Sequence, residues 1–175
     1  MQWYGPIFEL IDMRSFSNLW YWIALAVVWS SASHYVVGVP YDMVLRARRR
    51  GGQVQRDLEA LVRIQTARLL YIGRVSGLWL IGFIAFILSM LAVLGFRYDI
   101  EFCQALFMIA FPLSLVGMIS MRTARAIEHG EGQGEALYQR LRRHRKRVQL
   151  LGMASIFVTA LWGMWQNMNV SVLGG

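Results

Sequence analysis

The chain has 175 residues, of which 57% are hydrophobic and 16% charged, with a mean hydropathy of +0.42 and a formal net charge of +8. Soluble domains average about 45–50% apolar and about 25% charged residues. The balance here excludes a secreted disulfide scaffold, a coiled coil, a disordered regulator and a cytosolic enzyme.

Four stretches contain no Asp, Glu, Lys or Arg: Ser15–Tyr41, Val75–Phe96, Phe102–Met121 and Val148–Gly175, together 97 residues. Each is long enough to cross a hydrocarbon core of about 30 Å, which takes roughly 20 helical residues. The expected fold is all-α: a four-transmembrane-helix bundle with an N-terminal interfacial helix and long helical cytoplasmic extensions. It forms one integral membrane domain over 1–175, with spans near 16–38, 75–96, 102–121 and 148–167 and cytoplasmic segments 42–74 and 122–147.

In chain order, residues 3–13 repeat apolar side chains at three- and four-residue steps, with Glu9 and Asp12 on the other side. That pattern predicts a short helix lying in the outer interface. Ser15 or Ser17 suits the cap of the first span, and Trp20, Tyr21 and Trp22 suit an outer aromatic belt. The 27-residue run from Ser15 to Tyr41 reads as a retained helix rather than a cleaved signal, ending near Gly38–Pro40 because Val39 precedes proline.

A helix from Asp42, ended by Gly51–Gly52, should follow. From about Gln53 to Gly95 no proline interrupts the pattern, so one helix should run from an amphipathic stretch directly into span two. Residues Arg97–Glu101 leave room only for a tight hairpin. Pro112 is expected to kink span three, and Gly130, Gly132 and Gly134 mark a turn. A basic helix from Glu135 should then enter span four, with Trp162 and Trp165 near its outer end.

Sixteen of the 18 basic residues fall in segments 42–74 and 122–147, with six of the ten acids. The charge is therefore +10 on one side of the membrane and −2 on the other. The positive-inside rule puts both segments in the cytoplasm and both termini in the periplasm. The clusters Arg46, Arg48, Arg49, Arg50 and Arg142, Arg143, Arg145, Arg147 are candidate headgroup contacts. Beside spans such arginines bind anionic lipid, worth about 1 kcal/mol per basic residue near the surface. This reading is preferred to nucleic acid, which is not an expected partner.

His34 is the one ionisable Asp, Glu, His, Lys or Arg side chain inside a predicted span, and such groups are functional candidates. As an axial haem ligand it would need a second imidazole, and His129 and His144 fall in the cytoplasmic segments. The preferred reading is a neutral packing group bonded to a serine across helices. Small-residue stripes occur at Gly73–Gly77, at Ser114, Gly117 and Ser120, and at Gly152, Ser155, Thr159 and Gly163; they suit internal packing more than an oligomer interface. Cys103 is the single cysteine, so one chain holds no disulfide and no cysteine-based cluster. Neither HExxH, GxSxG, a P-loop nor a pair of intramembrane carboxylates occurs, so no enzyme activity and no cofactor is expected. The lack of an acid in any span argues against a cation-coupled transporter.

Two blocks, FELIDMRSFSNLWYW from Phe8 to Trp22 and ASHYVVGVPYDM from Ala32 to Met43, resemble a family of small uncharacterised alphaproteobacterial integral membrane proteins. Its members are often labelled a component of the Suf iron–sulfur assembly complex. The similarity extends to about residue 120. It implies a bacterial inner-membrane location and brings no catalytic residues with it. The expected function is a non-enzymatic accessory or scaffold protein of the bacterial inner membrane, working with anionic lipid and a membrane-protein partner. The alternatives are a haem- or quinone-associated electron-transfer subunit and a homo-oligomeric pore.

Overall fold

A computed structural model describes Phe16 and residues 19–173, with side chains through Asn169. Helix α1 (Leu19–His34) leads into a two-stranded antiparallel hairpin, β1 (Tyr35–Val36) and β2 (Val39–Pro40), followed by α2 (Tyr41–Arg50), α3 (Gly52–Ala92), α4 (Glu101–Ala126) and α5 (Gly134–Leu173). Five-residue π-helical turns, Val93–Arg97 and Ile127–Glu131, extend α3 and α4. The described residues are all-α apart from this hairpin. The predicted interfacial helix over 3–13 and the Ser15 or Ser17 cap lie outside the described residues.

Among the described residues three helices are long and apolar enough to cross a membrane: Gly52–Arg97, Glu101–Glu131 and Gly134–Asn169. The first predicted span is corrected in its extent. Helix α1 has 16 residues, about 24 Å of rise, and ends at His34 rather than at Gly38–Pro40. The cause is local. Tyr35 pairs with Pro40 and Val36 with Val39, and the turn between them has positive φ at Val37 (52°) and Gly38 (80°). Two consecutive positive φ values are the signature of the tight hairpin turns whose twist suits flanking strands. Glycine adopts this conformation freely, whereas a β-branched valine is strained in it. Val37 is nonetheless buried in the adjoining core, and that burial holds it there.

The uninterrupted helix predicted from Gln53 is present as α3, 41 residues long. Gly51 and Gly52 take left-handed φ values of 60° and 56°, and the Gly51 N–H bonds back to the Ala47 carbonyl. They separate α2 from α3 as expected of glycine at a helix end. Helix α4 packs between α3 and α5 and runs unbroken through the buried Pro112. Helix α1 lies against α5.

Glycine sets how closely these helices approach. A Cβ built on Gly95 would meet the Gln104 backbone nitrogen at 2.9 Å, and one on Gly152 would meet the Trp29 ring at 2.8 Å. The stripe Gly152, Ser155, Thr159, Gly163 is buried along α5, in keeping with internal packing. Gly77 and Gly117 have open space where a side chain would sit, so the stripes on α3 and α4 are only partly packed.

Candidate functional site

The arginine-rich end carries a core of its own, in which the hairpin, from the end of the first charge-free stretch, meets residues outside those stretches. Val36 and Val39 of the hairpin, Val44 and Ala47 of α2, Leu58 and Val62 of α3, and Leu137 and Leu141 of α5 form one buried cluster. The spacing explains the assembly. On α2, Val44 and Ala47 turn inward while Arg46, Arg49 and Arg50 project outward. On α5, Leu137, Leu141, His144 and Val148 form one buried stripe at four- and three-residue steps.

Polar contacts ring this head. The Glu59 carboxylate accepts the Gly134 backbone N–H at 3.0 Å and the Gln55 amide at 3.0 Å, and the Gly134 bond, then the Gln55 bond, hold it below the usual carboxylate range. It thereby caps the start of α5 from α3. Glu131 takes two bonds from Arg140, which hold that carboxyl low as well. Arg74 donates to both oxygens of Glu128 at 2.7 and 2.8 Å. Six acids serve this end, and these three each tie down one element.

The eight candidate arginines separate into two groups. Arg46, Arg49, Arg50, Arg142, Arg143 and Arg147 are exposed. Arg48 is also exposed but lies 3.6 Å from Glu135, a solvent-facing pair worth about 0–1 kcal/mol. Arg145 is different: its guanidinium sits 4.0 Å over the Tyr41 ring, a cation–π contact that fastens α2 to α5. Arg145 is therefore a structural residue of the head.

His34 is exposed, with its ring edge-on to Tyr35 at 5.1 Å. Among the described residues no serine bonds to it, and the neighbouring Ser33 hydroxyl donates instead to the Ser30 carbonyl at 3.0 Å. The buried histidine is His144, 2% exposed, with Nδ1 at 3.0 Å from the Thr123 hydroxyl. It precedes the charge-free stretch that begins at Val148. Burial, with a smaller contribution from Arg147, pushes its imidazole down to about 4. The stripe spacing on α5 was the signal for His144, masked by the five basic residues around it.

At the opposite end Glu101 accepts the Phe16 N–H at 2.7 Å, the Tyr21 hydroxyl donates to the Ala105 carbonyl at 3.3 Å, and one side chain joins three elements. Gln104, 1% exposed, donates from Nε2 to the Gly95 carbonyl at 2.8 Å, and its Oε1 accepts the Trp162 indole N–H at 3.0 Å. It links the end of α3, α4 and α5. Beside it Cys103 is buried and free. No group of three or more potential metal ligands occurs among the described residues.

A groove of ≈ 430 Å³ opens beside the head, where the hairpin, α3, α4 and α5 meet; Tyr35, Gln65, Arg68, Ile72, Ser120 and His144 line it. Sequence reasoning did not single out Arg68, because only the chain's folding separates it from the other basic residues of segment 42–74. Set against family models, curated proteins and solved structures, the chain finds no match.

Proposed function

We propose that this chain is a non-enzymatic accessory or scaffold protein of the bacterial inner membrane, whose arginine-rich head lies on the cytoplasmic leaflet. The observation that carries this reading is the head itself: a buried apolar core at the arginine-rich end, rimmed by six exposed arginines that form no salt bridge among the described residues. Anionic headgroups complement such a rim, and arginine offers planar, multi-donor phosphate contacts. The 16-to-2 division of basic residues supports the cytoplasmic orientation.

The same reading makes α1 the fourth span despite its length. Phe16 packs on Gly163, Trp29 on Gly152, and Tyr35 shares a groove with His144. From Gly163 to His144 helix α5 rises about 28 Å, close to the thickness of a hydrocarbon core. Phe16, α1 and the hairpin lie along α5 over that distance, so helix α1 needs flanking residues to complete its crossing. The four helices then form the bundle, with both termini periplasmic.

Native mass spectrometry of protein in nanodiscs of mixed zwitterionic and anionic lipid tests the reading. The wild type should retain an excess of phosphatidylglycerol or cardiolipin. Replacing Arg142, Arg143 and Arg147 with Gln, and leaving Arg145 on Tyr41, should reduce that excess without lowering thermal stability. Bulk lipid composition around the wild type would refute the headgroup role. Copurification in mild detergent would identify the membrane-protein partner that a scaffold requires.

A further inference from the structure

The groove beside the head differs from the exposed arginine rim in being a concave site at a defined depth. Arg68 and Ile72 lie seven and three residues before the charge-free stretch that begins at Val75. Ser120 is the penultimate residue of the stretch ending at Met121, and His144 lies four residues before Val148. Three helices thus bring the groove to the boundary between spans and head. Its lower wall is apolar, with Leu69, Ile72 and Val116, and its upper wall carries Gln65, Arg68 and Ser120. The strained hairpin closes one side: a Cβ on Gly38 would come within 3.3 Å of Gln65 Oε1.

The charge in this groove is uncompensated. Among the described residues Arg68 has no ion pair or hydrogen bond, and no acid lines the groove. The nearby carboxylates are engaged elsewhere: Glu128 with Arg74, Glu131 with Arg140, Glu135 with Arg48, Glu59 with the Gly134 N–H and Asp57 with Gln53. A guanidinium beside an amide and a hydroxyl matches a phosphodiester, and the apolar floor matches a hydrocarbon chain.

We propose that this groove holds one anionic phospholipid per chain, its phosphate on Arg68 with donors from Gln65 and Ser120, and an acyl chain along Leu69, Ile72 and Val116 into the bilayer. The proposal rests on the membrane orientation given above but not on the exposed arginine rim. Basic pockets between spanning helices are a general form of headgroup recognition. Free phosphate would lack the hydrocarbon contacts and should not occupy the groove.

The test is native mass spectrometry of protein exchanged into phosphatidylcholine nanodiscs containing a minority of phosphatidylglycerol. The wild type should keep one phosphatidylglycerol per chain after the annular lipids have been stripped. Arg68→Gln should weaken that retention about fivefold, which corresponds to about 1 kcal/mol. The Arg142, Arg143 and Arg147 variant should keep the single lipid while losing annular preference, so the two lipid roles fail separately. Ile72→Trp fills the apolar floor from an exposed position and should displace the lipid with Arg68 intact, which guards against a misfolded Arg68 variant. Undiminished retention in both variants would overturn the proposal. So would phosphatidylcholine retained as often as phosphatidylglycerol, or an acidic protein segment bound in place of lipid.

Discussion

Replacing Gln104 should loosen three elements at once. Its amide is spent on one acceptor and one donor, the Gly95 carbonyl and the Trp162 indole, both across helices. Gln104→Leu keeps much of the volume but leaves both groups unpaired at a site 1% exposed. Orphaning a buried polar group costs about 1–3 kcal/mol in soluble proteins. Interhelical polar contacts in membranes average about 0.6 kcal/mol, with a maximum near 1.7. Two such contacts give an expected loss of about 1–3 kcal/mol. Reversible unfolding in mixed detergent micelles, or steric trapping in bicelles, measures it.

A double-mutant cycle with Trp162→Phe isolates one of the two bonds. Phenylalanine keeps a ring near Phe96 and Trp165, which lie 5.4 and 4.9 Å from the Trp162 centroid, while removing the indole N–H. The two substitutions together should then cost less than the sum of the singles. Full additivity, or a Gln104→Leu protein as stable as the wild type, would refute the linking role and leave Gln104 as a space-filling residue.

The glycines separate along the same logic. Gly95→Ala should destabilise, because the new Cβ meets Gln104 backbone at 2.9 Å, whereas Gly73→Ala meets the unbranched end of the Met121 side chain, Cε and Sδ, and should be nearly silent in the same unfolding assay. For topology, a reporter fused after Gly175 should be active only when periplasmic, and one inserted at Gly52 only when cytoplasmic; the reverse pattern would overturn the orientation. Stability should fall as pH drops. The His144 imidazole titrates near 4 when folded against an ordinary value of 6.5, so the unfolded chain takes up the proton first and stability is lost between those values. His144→Gln should flatten the unfolding midpoint over that window; a slope unchanged from the wild type would remove His144 from the account.

Long-period features were legible in the sequence. The 41-residue α3 followed from an unbroken apolar pattern without proline, and the α2–α3 break from paired glycines. The hairpin was missed because YVVGVP is as apolar as the helix before it, and hydropathy alone cannot separate the two. The signal was present in the residue types: β-branched residues on either side of one glycine favour a strand-turn-strand path over a helix. His34 and His144 were exchanged for a related reason. Charge-free surroundings suggested burial for His34, and basic neighbours suggested solvent for His144. Burial of a side chain on a helix depends on its face, and the stripe Leu137, Leu141, His144, Val148 sets that face. The Gln104 link and the groove at Arg68 depend on pairing between helices, which no single-helix pattern contains.

The distribution of buried polar groups gives the molecule a mechanical logic. Gln104 fastens the helices at the short-loop end, and Thr123 with His144 fastens α4 to α5 at the arginine-rich end. Between them, Thr159 bonds to the Ser155 carbonyl of its own helix and meets the Tyr21 hydroxyl of α1, beside the close packing at Gly152 and Gly163. Directional hydrogen bonds fix register at the two ends. The arginine-rich end is fixed further by Glu59 on Gly134 and by Arg145 on Tyr41. A groove walled by elements tied in this way presents Arg68 at a constant depth, as selection of a single lipid requires. The exposed rim has no such constraint, and its long side chains suit a fluid, exchanging annulus.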